Sequence, residues 1–361
     1  MLGKVVTVKV DRPINSVHPE HKDLVYPVNY GYIEGTLSKV DNEEIDAYIL
    51  GVDEPVEDFT GKVIGIIKRV NDEEKLIVSN KEYSKEYIMN KVNFQEQYFK
   101  SSLTTLYTTK EDIMYDLKEA GIKCDDNIFI HSSLKSFGNI DGEVIIDALT
   151  SYITNGLIVF PTHTWATIKE DNQVFDTTKT PSCVGALTNI ALKTEGFKRS
   201  MHPTHSVCAY GYGQDQYLKL DLNSDTPVNP NGCQGKVLAE KEFKILFMGA
   251  PLSKLTFVHS VEEEFEVTDR LTYHIYKFKS VDGKNKKYYN MPRHFSTKNP
   301  HLSEHYAKLL QPMLNMEIAK ECYIGNSLTH IVDAKKCREY VRKLLKDDIH
   351  VFDDLREVKE F

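Results

Sequence analysis

Apolar and polar positions alternate from the first residues onward. Residues 4–10 follow a period of two and predict a strand, with a polar loop behind it. Tyr26 to Gly35 is dense in tyrosine and interrupted by glycine. Apolar runs at Ile45–Gly51, Lys62–Lys68 and Lys75–Val78 predict further strands, separated by turn residues. The period then changes. Over residues 81–101, Tyr87, Ile88, Val92, Phe94, Tyr98 and Phe99 recur at helical spacing. The N-terminal part thus reads as a small β-rich unit closed by one helix, with Ser101–Thr105 as the join.

Beyond the join the pattern is of another kind. Thr109 with Asp112 three residues later predicts a capped helix that runs to Ala120 and stops at Gly121. Strands at 127–130, 157–160, 207–210 and 244–248 then alternate with helices at 142–154, 184–193 and from Leu255 onward. Residues 267–300 are polar and aromatic with β character, and 304–314 and 334–346 read as helices. Alternation of this sort is the mark of an α/β domain.

A chain of 361 residues exceeds one small core, so two domains are expected. Lys and Arg number 45 against 53 Asp and Glu, a net charge of −8. The absence of a basic block argues against a general nucleic-acid binder. The six cysteines show no CxxC spacing, which argues against a cysteine zinc site and for reduced thiols in the cytoplasm. The N-terminus alternates like a strand rather than like a signal peptide, and no apolar run reaches bilayer length.

Four segments carry the chemistry. His131-Ser132-Ser133-Leu134-Lys135-Ser136-Phe137-Gly138 follows a strand, where hydroxyls and backbone N–H groups can meet a phosphate or a thioester carbonyl. Pro161-Thr162-His163-Thr164-Trp165 follows the next strand. Ligands of open α/β sheets bind beyond the carboxyl ends of strands, which puts both segments on one rim. Arg199-Ser200-Met201-His202-Pro203-Thr204-His205-Ser206 sets two imidazoles around a proline that extends His202. A histidine at such a loop-to-strand junction suits a general base. His259 and Glu262 fall at i and i+3 of a helix, where the carboxylate can orient an imidazole from elsewhere. Cys208 lies near His202 but inside an apolar strand, a setting that favours inert packing over an acyl-cysteine. A metal held by His163, His202 and His205 has no supporting motif.

In order and spacing, these four motifs together resemble the aminoglycoside 3-N-acetyltransferase, or antibiotic acetyltransferase, family over residues 108–355. The resemblance implies an α/β fold distinct from that of the GNAT acetyltransferases and an acetyl-CoA-dependent N-acetyltransferase acting on a 2-deoxystreptamine aminoglycoside or a related amine. It implies His202 as general base and Glu262 as its acidic partner. It places His131, Ser132, Ser133, Leu134, Lys135, Gly138 and Ser206 on the cofactor side, and His163, Thr164, Trp165 and His259 around the substrate. N–H groups near Ser132 and Ser133 are candidate oxyanion donors. One segment departs from the family pattern: Gly232-Cys233-Gln234-Gly235-Lys236-Val237-Leu238 stands where Gly-Ser-Pro-Leu-Gly-Lys-Leu is usual, near the acceptor.

Over residues 4–100, Tyr26-Pro27-Val28-Asn29-Tyr30-Gly31-Tyr32-Ile33 and Asp41-Asn42-Glu43-Glu44-Ile45-Asp46 resemble the soluble inorganic pyrophosphatases. The resemblance implies a β-barrel with a packed helix and offers Asp41, Glu43 and Asp46, with Asp72 and Glu73 beyond, as Mg²⁺ ligands. The short first loop and the missing basic residues mark the barrel as degenerate, suited to dimerisation or to shaping the acceptor pocket. The expected organisation is a degenerate pyrophosphatase-like domain at 1–103 and an acetyltransferase-like domain at 108–361. The competing readings are Mg²⁺-dependent pyrophosphate hydrolysis by the first domain and a CoA- or amine-binding protein without turnover.

Overall fold

The structure is a computed structural model that describes all residues except Lys39, Asn71, Lys236, Val237 and Ala239. Of the divergent segment 232–238, Lys236 and Val237 therefore lie outside the described residues. The chain forms two compact units, Met1–Ala120 with Tyr323–Asn326, and Gly121–Cys322 with Ser327–Phe361.

In the first unit, β1 (Val5–Arg12), β2 (Asn29–Ile33), β3 (Ile45–Ile49), β4 (Asp58–Arg69) and β5 (Glu74–Ser79) follow the order β1-β2-β3-β5-β4, and β4 pairs back to β1. The result is a closed barrel, a geometry that leaves no free edge among those strands. β3 and β5 run parallel. Closure needs a tight approach at Gly31, where a Cβ would meet the Lys9 carbonyl oxygen at 1.9 Å. That explains the glycine inside the tyrosine-rich stretch, which is strand β2. Val8, Ile33, Ala47, Ile49, Val63, Leu76 and Val78 fill the interior. Helix α1 (Lys85–Glu96), capped by Ser84, lays Ile88 and Val92 against Tyr26, Tyr48 and Ile67 on the outer face. Ser101–Thr105, expected as a join, is strand β6, antiparallel to the far half of β4. Helix α2 (Lys110–Glu119) carries the expected capping box between Thr109 and Asp112.

The second unit is built on a seven-stranded sheet. Its centre is parallel: β7 (Asn127–Ser132) lies between β8 (Leu157–Pro161) and β12 (Lys244–Met248). Antiparallel strands flank it, β11 (Val207–Gly211) and β10 (Lys198–Arg199) on one side, β16 (Ser327–Asp333) and β15 (Ala319–Ile324) on the other. The central strands are apolar on both faces because both are covered. α3 (Gly142–Tyr152) and α4 (Ala186–Ala191) accompany β7 and β8, and the short α5 (Gln214–Leu218) follows β11. α6 (Phe257–Glu264) and α8 (Ala334–Asp347) share the main core with Phe247, Tyr306 and Val332. A three-stranded sheet, β9 (Val174–Asp176), β13 (Tyr276–Asp282) and β14 (Asn285–Met291), has its own small core around Phe175 and Phe278. The helix expected at 304–314 is a 3-10 stretch, Leu302–Leu309, continued by the short α7 (Leu310–Asn315).

Register defines the site. Met248 at the end of β12 pairs with Ser132 at the end of β7, and Pro161 at the end of β8 pairs with Val207 at the start of antiparallel β11. The loops after three parallel strands and the loop before β11 therefore share one rim. Among the described residues, no helix is long and apolar enough to cross a membrane.

Candidate active site

A cavity of about 1000 Å³ opens at that rim. Its floor is set by backbone. Gly249 has φ +68°, and a Cβ there would meet Ser136 Oγ at 1.9 Å, so only glycine lets β12 turn away under the loop after β7. Ser136 ties that loop down through Ser327 Oγ at 2.6 Å and the Ser133 carbonyl at 2.7 Å.

The most elaborated feature of the cavity is a proton-handling network on α6. His259 Nδ1 lies 3.0 Å from Glu262 Oε2, one helical turn away, and 2.8 Å from the Tyr306 hydroxyl. Tyr306 donates to the same carboxylate oxygen at 2.6 Å, and Arg270 Nε donates to the other at 2.7 Å. Arg270 also pairs with Asp353. Burial alone would raise the Glu262 pKa. His259, Arg270 and Tyr306 outweigh it and hold the carboxyl below its ordinary value. With Nδ1 donating to that carboxylate, the His259 lone pair sits on Nε2, which has no partner among the described residues, and His259 lines the cavity.

Around it lie more imidazoles. The His294 ring is 4.2 Å from that of His259, His205 is 5.2 Å from His294, and His163 is 4.7 Å from His205. Burial pushes the pKa of His163 down to about 3 and those of His205 and His294 well down, so all three are neutral acceptors or donors. Among the described residues they form no metal-holding cluster. Gln234, from the divergent segment, bridges them: its amide contacts His163 Nε2 and donates to the His205 carbonyl at 2.8 Å.

His202, expected as the base, holds its own loop instead. Its Nδ1 accepts from the backbone N–H of His205 at 3.0 Å and of Thr204 at 3.3 Å, and Nε2 lies 3.1 Å from the Thr226 carbonyl. Both nitrogens are thus engaged by backbone, burial lowers its pKa, and it does not line the cavity. Ser206, expected at the cofactor, is fully buried against Thr162 and Arg199. The Arg199 guanidinium, pushed down to about 10 by burial, clamps carbonyls of Thr162, Thr177 and Thr180. Thr164 is buried and donates to the Pro203 carbonyl. Gly138 lies outside the cavity lining, whereas His131, Ser132, Ser133, Leu134, Lys135, His163 and Trp165 belong to it. The Ser133 N–H is already given to the Met248 carbonyl at 2.9 Å, so it is not an oxyanion donor. Ser132 Oγ is buried with no partner and fits that part. Cys208 is buried with its thiol pushed up to about 12, which suits packing rather than acyl transfer.

Local pattern did not mark Arg270, Arg293, His294 or Tyr306. They arrive from the segments around β13 and β14 and from the 3-10 stretch, remote in sequence from the four motifs.

In the barrel the three carboxylates proposed for Mg²⁺ are not gathered. Asp41 and Glu43 are exposed, while Asp46 is bound by Tyr30 and by Lys75 Nζ at 2.6 Å. Lys75 also takes Glu73 at 2.6 Å, so an ammonium occupies the middle of the acidic group.

Comparison with known proteins agrees with this architecture. The model of the aminoglycoside 3-N-acetyltransferase family matches residues 129–346. The chain belongs to that family. Residues 4–122 match the inorganic pyrophosphatase family, so the acetyltransferase domain follows a pyrophosphatase-like one. The aminoglycoside N(3')-acetyltransferase-like protein YokD, from an SPbeta prophage of Bacillus subtilis (strain 168), is 27% identical over 187 residues, 44% of this chain and 66% of that protein. The crystal structure of YokD superposes with a TM-score of 0.57 at 20% identity, over 68% of this chain and 96% of that one. An AAC-IIIb complex with CoASH gives 0.56 at 20%, covering 66% and 96%, and AAC-VIa bound to sisomicin gives 0.56 at 17%, covering 66% and 97%. The family is described as one of N-acetyltransferases, and the AAC-IIIb structure among those superposed holds CoASH.

Proposed function

We propose that this chain moves the acetyl group of acetyl-CoA to a primary amine in a ternary complex, with His259 as general base. The observation that carries the assignment is the His259 Nδ1–Glu262 Oε2 contact of 3.0 Å, which leaves Nε2 open toward the cavity. Acetyl-CoA supplies an activated acyl group as a thioester. The residues present suit it: Ser132 Oγ is a buried hydroxyl without a partner, and Lys135 and Lys254 are exposed cations at the ends of β7 and β12. His259 takes the amine proton as the C–N bond forms and returns it to the departing sulfur. Glu262 and Tyr306 stabilise the imidazolium in between, and Ser132 Oγ donates to the developing oxyanion. His205 and His163, fixed by Gln234, line the approach of the amine.

The family description offers the 3-amino group of an aminoglycoside as the acceptor, and we take it as the reference acceptor for the test. CoA-thiol release is measured with a panel of amines that includes an aminoglycoside, for wild type, His259→Ala and His202→Ala. We expect His259→Ala to lose about 10²–10⁴-fold in turnover while still binding CoA. Undiminished turnover in His259→Ala would remove it from this role.

A further inference from the structure

The cavity carries charge largely of one sign. Among the described lining residues Lys135, Lys254, Arg270 and Arg293 are cations, and Glu304, on the exposed surface, is the one carboxylate. Arg270 is neutralised from behind by Glu262 and Asp353, at 2.7 Å each. Lys135 and Lys254 stand at the strand ends assigned above to CoA, whose phosphates suit them. Arg293 is left over. Its Nη2 donates to the Trp165 carbonyl at 2.7 Å and its guanidinium carbon is 5.8 Å from the Tyr276 ring, with no ion-pair partner among the described residues. It is the neighbour in sequence of His294, whose ring touches that of His259. Arg293, His294 and His259 line the same cavity, so a guanidinium without an ion-pair partner among the described residues shares it with the proposed base.

An aminoglycoside brings several ammonium groups, and each one taken out of water needs a carboxylate. Among its described lining residues this cavity offers one, Glu304. A guanidinium presents a planar fork of donors that matches a phosphate or a carboxylate.

We propose that the acceptor is a monoamine carrying an anionic group, phosphate or carboxylate, that Arg293 holds beside the amine to be acetylated, and that it is not a polycationic aminoglycoside. The proposal rests on the acyl-transfer reading above and names the acceptor class for that site.

The test is binding by calorimetry to the CoA-saturated full-length protein. The probes are glucosamine, glucosamine 6-phosphate, 2-amino-2-deoxyglucuronate and gentamicin. We expect one or both anionic sugars to bind about tenfold more tightly than glucosamine, the gain of one charge-assisted pair. The stronger arm tells phosphate from carboxylate. The gain disappears in Arg293→Gln and survives in Arg293→Lys, and gentamicin binds no better than glucosamine. Gentamicin binding more tightly than both anionic sugars overturns the proposal. So does the absence of a gain from either anion, or a gain that persists in Arg293→Gln. If CoA itself fails to bind in the first titration, the acyl-transfer reading falls, and the four sugars compared on the unliganded protein still decide the charge preference.

Discussion

Glu262 and His259 face each other across one turn of α6, carboxylate to imidazole at 3.0 Å, and neither stands alone: Tyr306 donates to the carboxylate oxygen that His259 contacts, and Arg270 donates to the other. The carboxylate is fully buried, so its charge is retained only because three partners offset the loss of water.

Removal of that charge is expected to act on rate and stability together. Glu262→Gln lowers kcat by about 10²-fold or more, since the imidazolium loses its counter-ion. It also costs about 3 kcal/mol, because Arg270 keeps one acidic partner instead of two. Urea unfolding and thiol-release assays on the same preparation check both. The carboxyl lies below its ordinary pKa when folded. Its contribution is therefore complete above the ordinary carboxylate range and is lost as pH falls through the folded value.

His202 and His259 are expected to separate cleanly. His202→Ala strands two backbone N–H groups and one carbonyl, at a cost of about 2–3 kcal/mol, and lowers the melting temperature. His259→Ala loses about 10²–10⁴-fold in turnover and leaves Glu262 with two of its three partners, so the two variants are told apart by turnover per folded molecule rather than by melting temperature. A His202→Ala protein with wild-type stability would show that the loop does not depend on the ring.

Acid should loosen the second unit from about pH 6.5 downward. Burial holds His131 and His163 down to about 3 and lowers His202, His205 and His294. These groups are neutral when folded and take protons when unfolded below about pH 6.5. Their stabilisation is complete above that pH and shrinks as pH falls, by up to about 1.4 kcal/mol per unit for each ring. Glu263, pushed up to about 7 by burial, acts in the opposite direction, losing stability as pH rises from about 4.5 to 7. Five rings outweigh one carboxyl, so the urea midpoint should drop steeply from pH 7 to pH 5. A flat profile over that window contradicts the neutral cluster.

In the barrel, Lys75→Met leaves Asp46 and Glu73 facing each other across an apolar side chain. A loss of about 3 kcal/mol is expected, read from the denaturant midpoint. Full stability in Lys75→Met would mean that solvent, not the ammonium, screens the two acids.

The parts of the fold that could be read from the chain are those in which burial writes itself into a run of residues. Phe129-Ile130, Leu157–Phe160 and Ile245–Met248 are apolar without interruption because each strand is covered on both faces. The pattern over residues 319–333 does not announce strands β15 and β16, although Gly325-Asn326 between them is a hairpin signal. Charged Lys320 and Glu321 on β15 are exposed and dilute the pattern. The helix expected at 304–314 has the right apolar spacing, but most of it winds as 3-10. The site divides along similar lines. Spacing located the rim loops and the His259–Glu262 pair. It could not show that backbone amides consume His202, because that depends on how the loop folds over its own ring. Nor could it bring Arg293 and His294 to His259, since those contacts follow from tertiary packing of the segments around β13 and β14.

The shared rim has a consequence for how such an enzyme diversifies. The base comes from the helix after β12, the thioester contacts from the loop after β7, and Arg293 with His294 from the segment after β14. Each arrives on its own stretch of chain. Retargeting to a new acceptor would therefore fall on the stretch after β14 and on the loops that carry His163 and His205, with the proposed base left in place on α6.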